Sequence, residues 1–371
     1  MIKIVMEQTF DLKNYLTEGV EHVVRDILKA TAKNPKESVF MAKFALRAKA
    51  TASVRAANSF LPPFLIVSAT SICNMQCKGC YVRGIGTCHD AAEASGAVTA
   101  DGEMLSADEW RSVFEQARDA GICFIIIVGG EPLLRQDVLE AASEFPEILF
   151  PVFTNGTLLD ARCLALFDKY RNLVPILSLE GGREETDARR GDGIYATLLE
   201  RMAQMDELGL LFGASITVTT DNIRSVTDPS FISEMQRQGC RAVFFVDYVS
   251  TSEADRTLEP GDEQRAYMKE KMADFRRDYP EMIFISFPGD EKASGGCLAA
   301  GRGFFHINAY GGAEPCPFSP YSDLNVRETP LTAIMESKLF KALHESGMLT
   351  EDHSGGCVLA GRDAEVRALR L

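Results

Sequence analysis

Six short apolar runs, each followed by a stretch of helical periodicity, constrain this chain more than any other feature. They are PFLIVSAT from residue 63, ICFIIIVGG from 122, ILFPVFTNG from 148, VPILSLEGG from 174, LLFGASITVTT from 210 and AVFFVDYVS from 242. Runs that stay apolar on successive residues bury both faces, which is the habit of a parallel sheet covered by helices. The segments between them are long enough for crossover helices. One of these, SADEWRSVFEQARDAG, opens with Ser106 and Glu109 in capping-box spacing and stops at Gly121. Six units are fewer than the eight of a closed barrel. The expected fold is α/β, a partial, open (β/α)6 TIM-like barrel over residues 59–288.

The flanks differ in texture. Residues 1–58 read as a helical extension, with apolar residues at helical spacing in LTEGVEHVVRDILKATA and ESVFMAKFALRAKATASVRAANSF. Lys43, Arg47, Lys49 and Arg55 border the second stripe. Such a helix either packs on the barrel with a solvated basic face or makes a membrane-surface contact. Residues 289–371 begin with a Gly-, Pro- and Cys-rich stretch that reads as a small module tied by a ligand rather than by a core. A net charge of −14 over 371 residues argues for no nucleic acid partner. MIKIVMEQTFDLKNYL has no signal-peptide pattern, and no apolar run approaches the roughly 18 residues of a spanning helix. A cytoplasmic location is expected, with the ten cysteines reduced.

Three of those cysteines lie in CNMQCKGCY, where Cys73, Cys77 and Cys80 follow the first run directly. A zinc site closes with four ligands, and a cubane iron–sulfur cluster also usually takes four thiolates. Three would leave one iron of a four-iron cube open to a small molecule; half of a zinc site is the alternative. Other polar motifs also fall at strand ends, where barrel active sites are built. They are Gly129, Gly130 and Glu131 in GGEP, Thr154 and Asn155 in TNG, and Ser178 and Glu180 in SLEG. Ser215 and Thr217 share one face of the fifth run.

The C-x3-C-x2-C-aromatic run, taken with these strand-end motifs, resembles the radical S-adenosylmethionine (SAM) superfamily over roughly residues 62–250. The resemblance implies that Cys73, Cys77 and Cys80 ligate a [4Fe–4S] cluster whose open iron takes the amino and carboxylate groups of SAM. One electron from the cluster then cleaves SAM to a 5′-deoxyadenosyl radical, which abstracts hydrogen from a substrate. Tyr81, Gly129, Gly130, Glu131, Thr154, Asn155, Ser178, Glu180, Arg190, Ser215 and Thr217 would then surround SAM. An electron donor such as flavodoxin or ferredoxin is implied as a partner.

Downstream, GCLAAGRGFFHINAYGGAEPC joins Cys297 to Cys316, and a helical stretch leads to Cys357. This is similar to the auxiliary-cluster extension of the SPASM and twitch subfamilies, implying one auxiliary iron–sulfur cluster; a zinc ribbon is the alternative. The closing cysteine of that pattern is missing. Either the fourth iron is open or Cys88, from the loop after the first strand, supplies the ligand. Cys123, Cys163 and Cys240 read as buried filler. Asp247, Asp290 and Glu291 are candidate catalytic groups or substrate contacts.

The substrate is expected to be a peptide or protein, with a small molecule or lipid as the alternative; no strand-rich leader-binding domain is visible. A reading from another class is a non-catalytic iron–sulfur electron carrier or a zinc-stabilised binding protein. Changing Cys73, Cys77 or Cys80 to Ala should abolish 5′-deoxyadenosine release after anaerobic reconstitution. Release at the unmodified rate by Cys77→Ala would refute the radical reading.

Overall fold

The computed structural model describes residues 12–370, apart from 33, 59, 92–101 and 352–355. The first eleven residues, in which the sequence shows no signal-peptide pattern, lie outside it. The six apolar runs form the expected strands: β1 (Phe64–Thr70), β2 (Phe124–Gly129), β3 (Phe150–Thr154), β4 (Leu173–Leu179), β5 (Gly213–Val218) and β6 (Ala242–Asp247). A seventh parallel strand, β7 (Ile283–Phe287), extends the row beyond the six expected. Three short strands from the C-terminal segment complete the sheet: β8 (His306–Ile307), β9 (Gly312–Glu314) and β10 (Leu324–Asn325). The spatial order is β10-β9-β8-β1-β2-β3-β4-β5-β6-β7. The C-terminal segment therefore shares the barrel's sheet, with β8 parallel to β1.

Strand register sorts the side chains into two layers. Leu65, Val67, Ile125, Ile127, Leu177 and Ile216 point outward, and each is fully buried. They pack under helices such as Ala107–Asp119, whose Trp110, Val113, Phe114 and Ala117 face the sheet. Ser106 caps that helix through the expected reciprocal pair with Glu109. On the other face, the Phe153 and Phe244 rings meet at 5.1 Å although two strands separate β3 from β6. Only side chains pointing into the barrel can meet that way. Ser178 and Ser215 lie in register on this inner face, with Thr217 two residues further on.

Helices α1 (Leu12–Ala30) and α2 (Pro35–Ala50) close the bottom of the barrel. Ile27, Met41 and Phe44 pack with Cys123, Leu149, Val174 and Leu211, which all sit at or just before strand starts. Met41, Phe44 and Ala48 of α2 are thus spent on the barrel, while Val39 and Leu46 of the same helix stay exposed. Arg47 and Arg55 donate to the carbonyls of Pro146 and Gly121, while Lys43 and Lys49 remain exposed. No helix among the described residues is long and apolar enough to cross a membrane.

A buried ion pair fixes α2 in place. Arg171 Nη1 donates to Glu37 Oε2 at 2.7 Å, the two side chains being 7% and 2% exposed. Arg171 also meets Asp168 and the carbonyls of Gly209 and Leu208. Burial pushes the Glu37 carboxyl upward against the pull of Arg171. Glu37→Ala should cost about 3 kcal/mol, the low end for breaking a buried pair, because Arg171 keeps those other acceptors. Denaturant unfolding checks it, and unchanged stability would show that α2 is held by packing alone.

Candidate active site

At the C-terminal end of β1 the ladder shifts register between Ser68 and Thr70, and the chain turns into the cysteine loop. Two backbone bonds hold the loop's start: Gly130 N–H donates to Thr70 O and Glu131 N–H to Ile72 O, both at 2.8 Å. A Cβ at Gly130 would lie 2.0 Å from the Ile72 carbonyl oxygen, so this crossing admits only glycine. The close approach that GGEP permits is therefore to the cysteine loop itself.

Glu131 is 1% exposed, and protein donors engage both of its oxygens. Oε1 accepts from Leu133 N–H at 3.0 Å and the Thr154 hydroxyl at 2.7 Å, and Oε2 accepts from Asn155 N–H at 2.8 Å. Burial pushes this carboxyl up to about 7 despite those three donors. Asn155 extends the chain of contacts, donating to Asn74 Oδ1 at 2.9 Å and approaching Cys73 Sγ at 4.0 Å. Glu131 and Thr154 thus join strand ends, on the side away from the barrel interior.

The loop's far half is held by the helix Arg183–Arg190. Lys78 N–H donates to Arg189 O, and Arg189 Nε donates back to Lys78 O. Gly79 has φ +61°, and a Cβ there would sit 2.3 Å from the Tyr248 hydroxyl. Glu180, at the end of β4, gathers both arginines: its Oε1 accepts from Arg189 Nη1 and from the Nε and Nη2 of Arg190. Its Oε2 is buried and has no hydrogen-bond partner among the described residues. Arg190 Nη1 also approaches Cys77 Sγ at 3.9 Å.

Burial pushes the Cys77 thiol up, Arg190 and Arg189 pull it down, and the nearby Cys80 and Cys73 raise it again. All three cysteines are partly exposed. Cys88 is placed against Cys73, whose thiolate its thiol stabilises by a hydrogen bond. The sequence reading offers Cys88, beside an open iron, as the fourth ligand of the C-terminal set; Cys88 is not among the residues lining the pocket those cysteines share.

Those cysteines meet in a small pocket where the ends of β6 and β7 face the C-terminal segment. Cys297, Cys316 and Cys357 line it together with Asp247, Glu291 and Phe318. Burial raises the thiols of Cys297 and Cys316 well above the ordinary range and that of Cys357 to about 12. Burial also takes the Glu291 carboxyl to about 7. Asp247 pairs with Arg265 at 3.1 Å. Asp290 lies outside this pocket, accepting from Ser286 N–H and Arg276 on a partly exposed turn. Tyr81, buried enough to raise its hydroxyl, stands between the two cysteine sets, with its ring 4.4 Å from that of Phe318.

Three groups escaped the sequence reading. Ser68 Oγ bonds His306 Nε2 at 2.8 Å, His306 Nδ1 bonds Glu314 Oε2 at 2.7 Å, and both His306 and Glu314 are buried. This chain of bonds links β1, β8 and β9 on the inner face. Among the described residues no three His, Cys, Asp or Glu side chains converge on one point to hold a single ion. A four-iron cube has a different requirement, since each of its thiolates sits on a separate iron.

A partial parallel barrel with a three-cysteine loop over its strand ends defines a class of enzymes that activate a small molecule at an open iron. Residues 67–244 match the radical SAM superfamily, and the chain is a radical SAM enzyme. Membership implies a [4Fe–4S] cluster and SAM. The chain is 28% identical to an AdoMet-dependent heme synthase from Methanosarcina barkeri, over 80% of this chain and 87% of that protein. It is 27% identical to a PqqA peptide cyclase from Rhizobium meliloti, over 82% of each. The crystal structure of Streptococcus suis SuiB bound to S-adenosylmethionine shares the fold, with a TM-score of 0.61 at 15% identity, over 83% of this chain and 70% of that one.

Glu131→Gln should lower stability by about 1–3 kcal/mol, because an amide N–H₂ would turn a donor toward a donor in a buried site. Thermal and denaturant unfolding measure it. Weakened SAM binding at unchanged stability would instead make Glu131 a ligand contact.

Proposed function

We propose that Cys73, Cys77 and Cys80 hold the [4Fe–4S] cluster and that Glu180 and Arg190 meet SAM beside it. One observation carries this reading. Three thiols, a guanidinium reaching Cys77 and a buried carboxylate oxygen without a donor gather at one end of the barrel. The open oxygen of Glu180 suits a group that donates, such as an ammonium or a hydroxyl. Arg190 is already oriented by Glu180, so it offers a fixed charge without first losing rotamer freedom. Ser178, Ser215 and Thr217 place hydroxyls on the inner face below, where a ribose and a substrate would be positioned.

When bound, the cluster supplies the electron that cleaves SAM and so starts hydrogen abstraction from the substrate. The inner face meets that substrate with Ile126, Val128, Phe153, Phe244 and Val246, an apolar wall that excludes water from a reactive species. A peptide side chain is the first substrate reading, supported by the similarity to a peptide cyclase over 82% of the chain. A small molecule is the second, supported by the similarity to a heme synthase over 80%. Cys297, Cys316 and Cys357 would hold an auxiliary cluster in the C-terminal pocket, and the electron would come from a flavodoxin or ferredoxin.

Anaerobic reconstitution with iron and sulfide, then reduction with SAM present, should release 5′-deoxyadenosine. A colourless zinc protein that leaves SAM intact would sink the proposal. With deuterated candidate substrates, deuterium transfer into 5′-deoxyadenosine identifies the class, peptide or small molecule.

A further inference from the structure

We propose that Glu291 is the fourth protein ligand of the C-terminal cluster, an inference that rests on the reading of Cys297, Cys316 and Cys357 as its cysteine ligands. The missing fourth thiolate is the problem to solve. Cys88 lies against Cys73, and Cys123, Cys163 and Cys240 are buried elsewhere in the core. The pocket shared by the three cysteines holds two carboxylates, Asp247 and Glu291. Asp247 already has a cation, Arg265. Glu291 is 4% exposed and, among the described residues, makes no direct ion pair; Arg302 pulls on it from nearby, but its guanidinium donates to the carbonyls of Cys297, Leu349 and Gly295. A buried anion in that position needs a positive counterpart, and an iron of the cluster supplies one.

The local fold aims the side chain. Glu291 sits in the short turn Gly289–Ser294, and the chain then doubles back to Cys297. The Ser294 hydroxyl donates to Glu291 O at 2.6 Å, and Leu298 N–H donates to its Oε1 at 3.3 Å. A side chain that lines the same pocket as all three cysteines stands where a fourth ligand belongs. The donor is unlike the rest: a carboxylate oxygen is harder than a thiolate and matches iron less well than sulfur does. The iron it holds should therefore be the cluster's most exchangeable one, spectroscopically distinct from the three thiolate-bound irons.

The test uses the full chain, reconstituted anaerobically, with iron and sulfide content and EPR spectra as readouts. Cys316→Ala should halve the iron and remove the auxiliary signal. Glu291→Ala should lower the iron toward that level and remove or reshape the auxiliary signal, leaving the SAM-cluster signal as a control for folding. Glu291→Cys should restore the wild-type iron content with shifted auxiliary g-values, a rescue that a merely structural glutamate would not give. If Cys316→Ala halves the iron while Glu291→Ala keeps wild-type iron and a superimposable auxiliary signal, the ligand role falls and the cluster stands. If Cys316→Ala leaves the iron unchanged, the auxiliary cluster falls, and the ligand role with it.

Discussion

Glu131 sits where the ends of β2 and β3 must be brought to the cysteine loop, and its carboxylate collects a hydroxyl and two backbone N–H groups to do so. Each of those donors would otherwise be buried without a partner, at about 1–3 kcal/mol apiece. Its own N–H binds Ile72 O, one residue before Cys73. The same residue therefore organises the strand ends with its side chain and seats the loop with its backbone. The loop contributes little apolar burial of its own, so polar pins decide where the three thiols sit. Arg189 supplies the opposing pin at Lys78, and Glu180 orients both Arg189 and Arg190.

Much of this was legible from the order of residues. Most of the six strands are apolar on both faces, which leaves a parallel sheet little competition. The capping box at Ser106 and Glu109 is a local device whose partners lie three residues apart, so it formed as read. β7 was missed because IFISF alternates buried with half-buried positions and follows a long charged helix. The cysteine triplet could be read because its spacing is itself the chemistry.

Long-range pairings were not legible. Nothing around His306 announces Ser68, which lies 238 residues earlier, or Glu314 as its two partners. The contact of Cys88 with Cys73 was hidden for a related reason. Its loop leaves the active end of the barrel, but the side of that end on which it lands depends on Arg83, which binds both Asp90 and the Met75 carbonyl. Glu131 shows a subtler limit. Its residue type implied an acceptor, yet only the fold reveals that its donors belong to the protein.

The pairing of β8 with β1 has a consequence for how the molecule is made. One edge of β1 is finished by a strand that leaves the ribosome 238 residues later. At about 5–20 residues per second, that edge waits roughly 10–50 s for its partner. During that interval a nearly all-apolar strand offers unpaired backbone groups to any neighbouring chain. The cysteine loop hangs from the same strand, and its thiols are synthesised long before the C-terminal pocket exists. Loading of iron and completion of the sheet are thus separated in time, and a nascent chain must be shielded from aggregation and from oxygen before its own C-terminus can cover it.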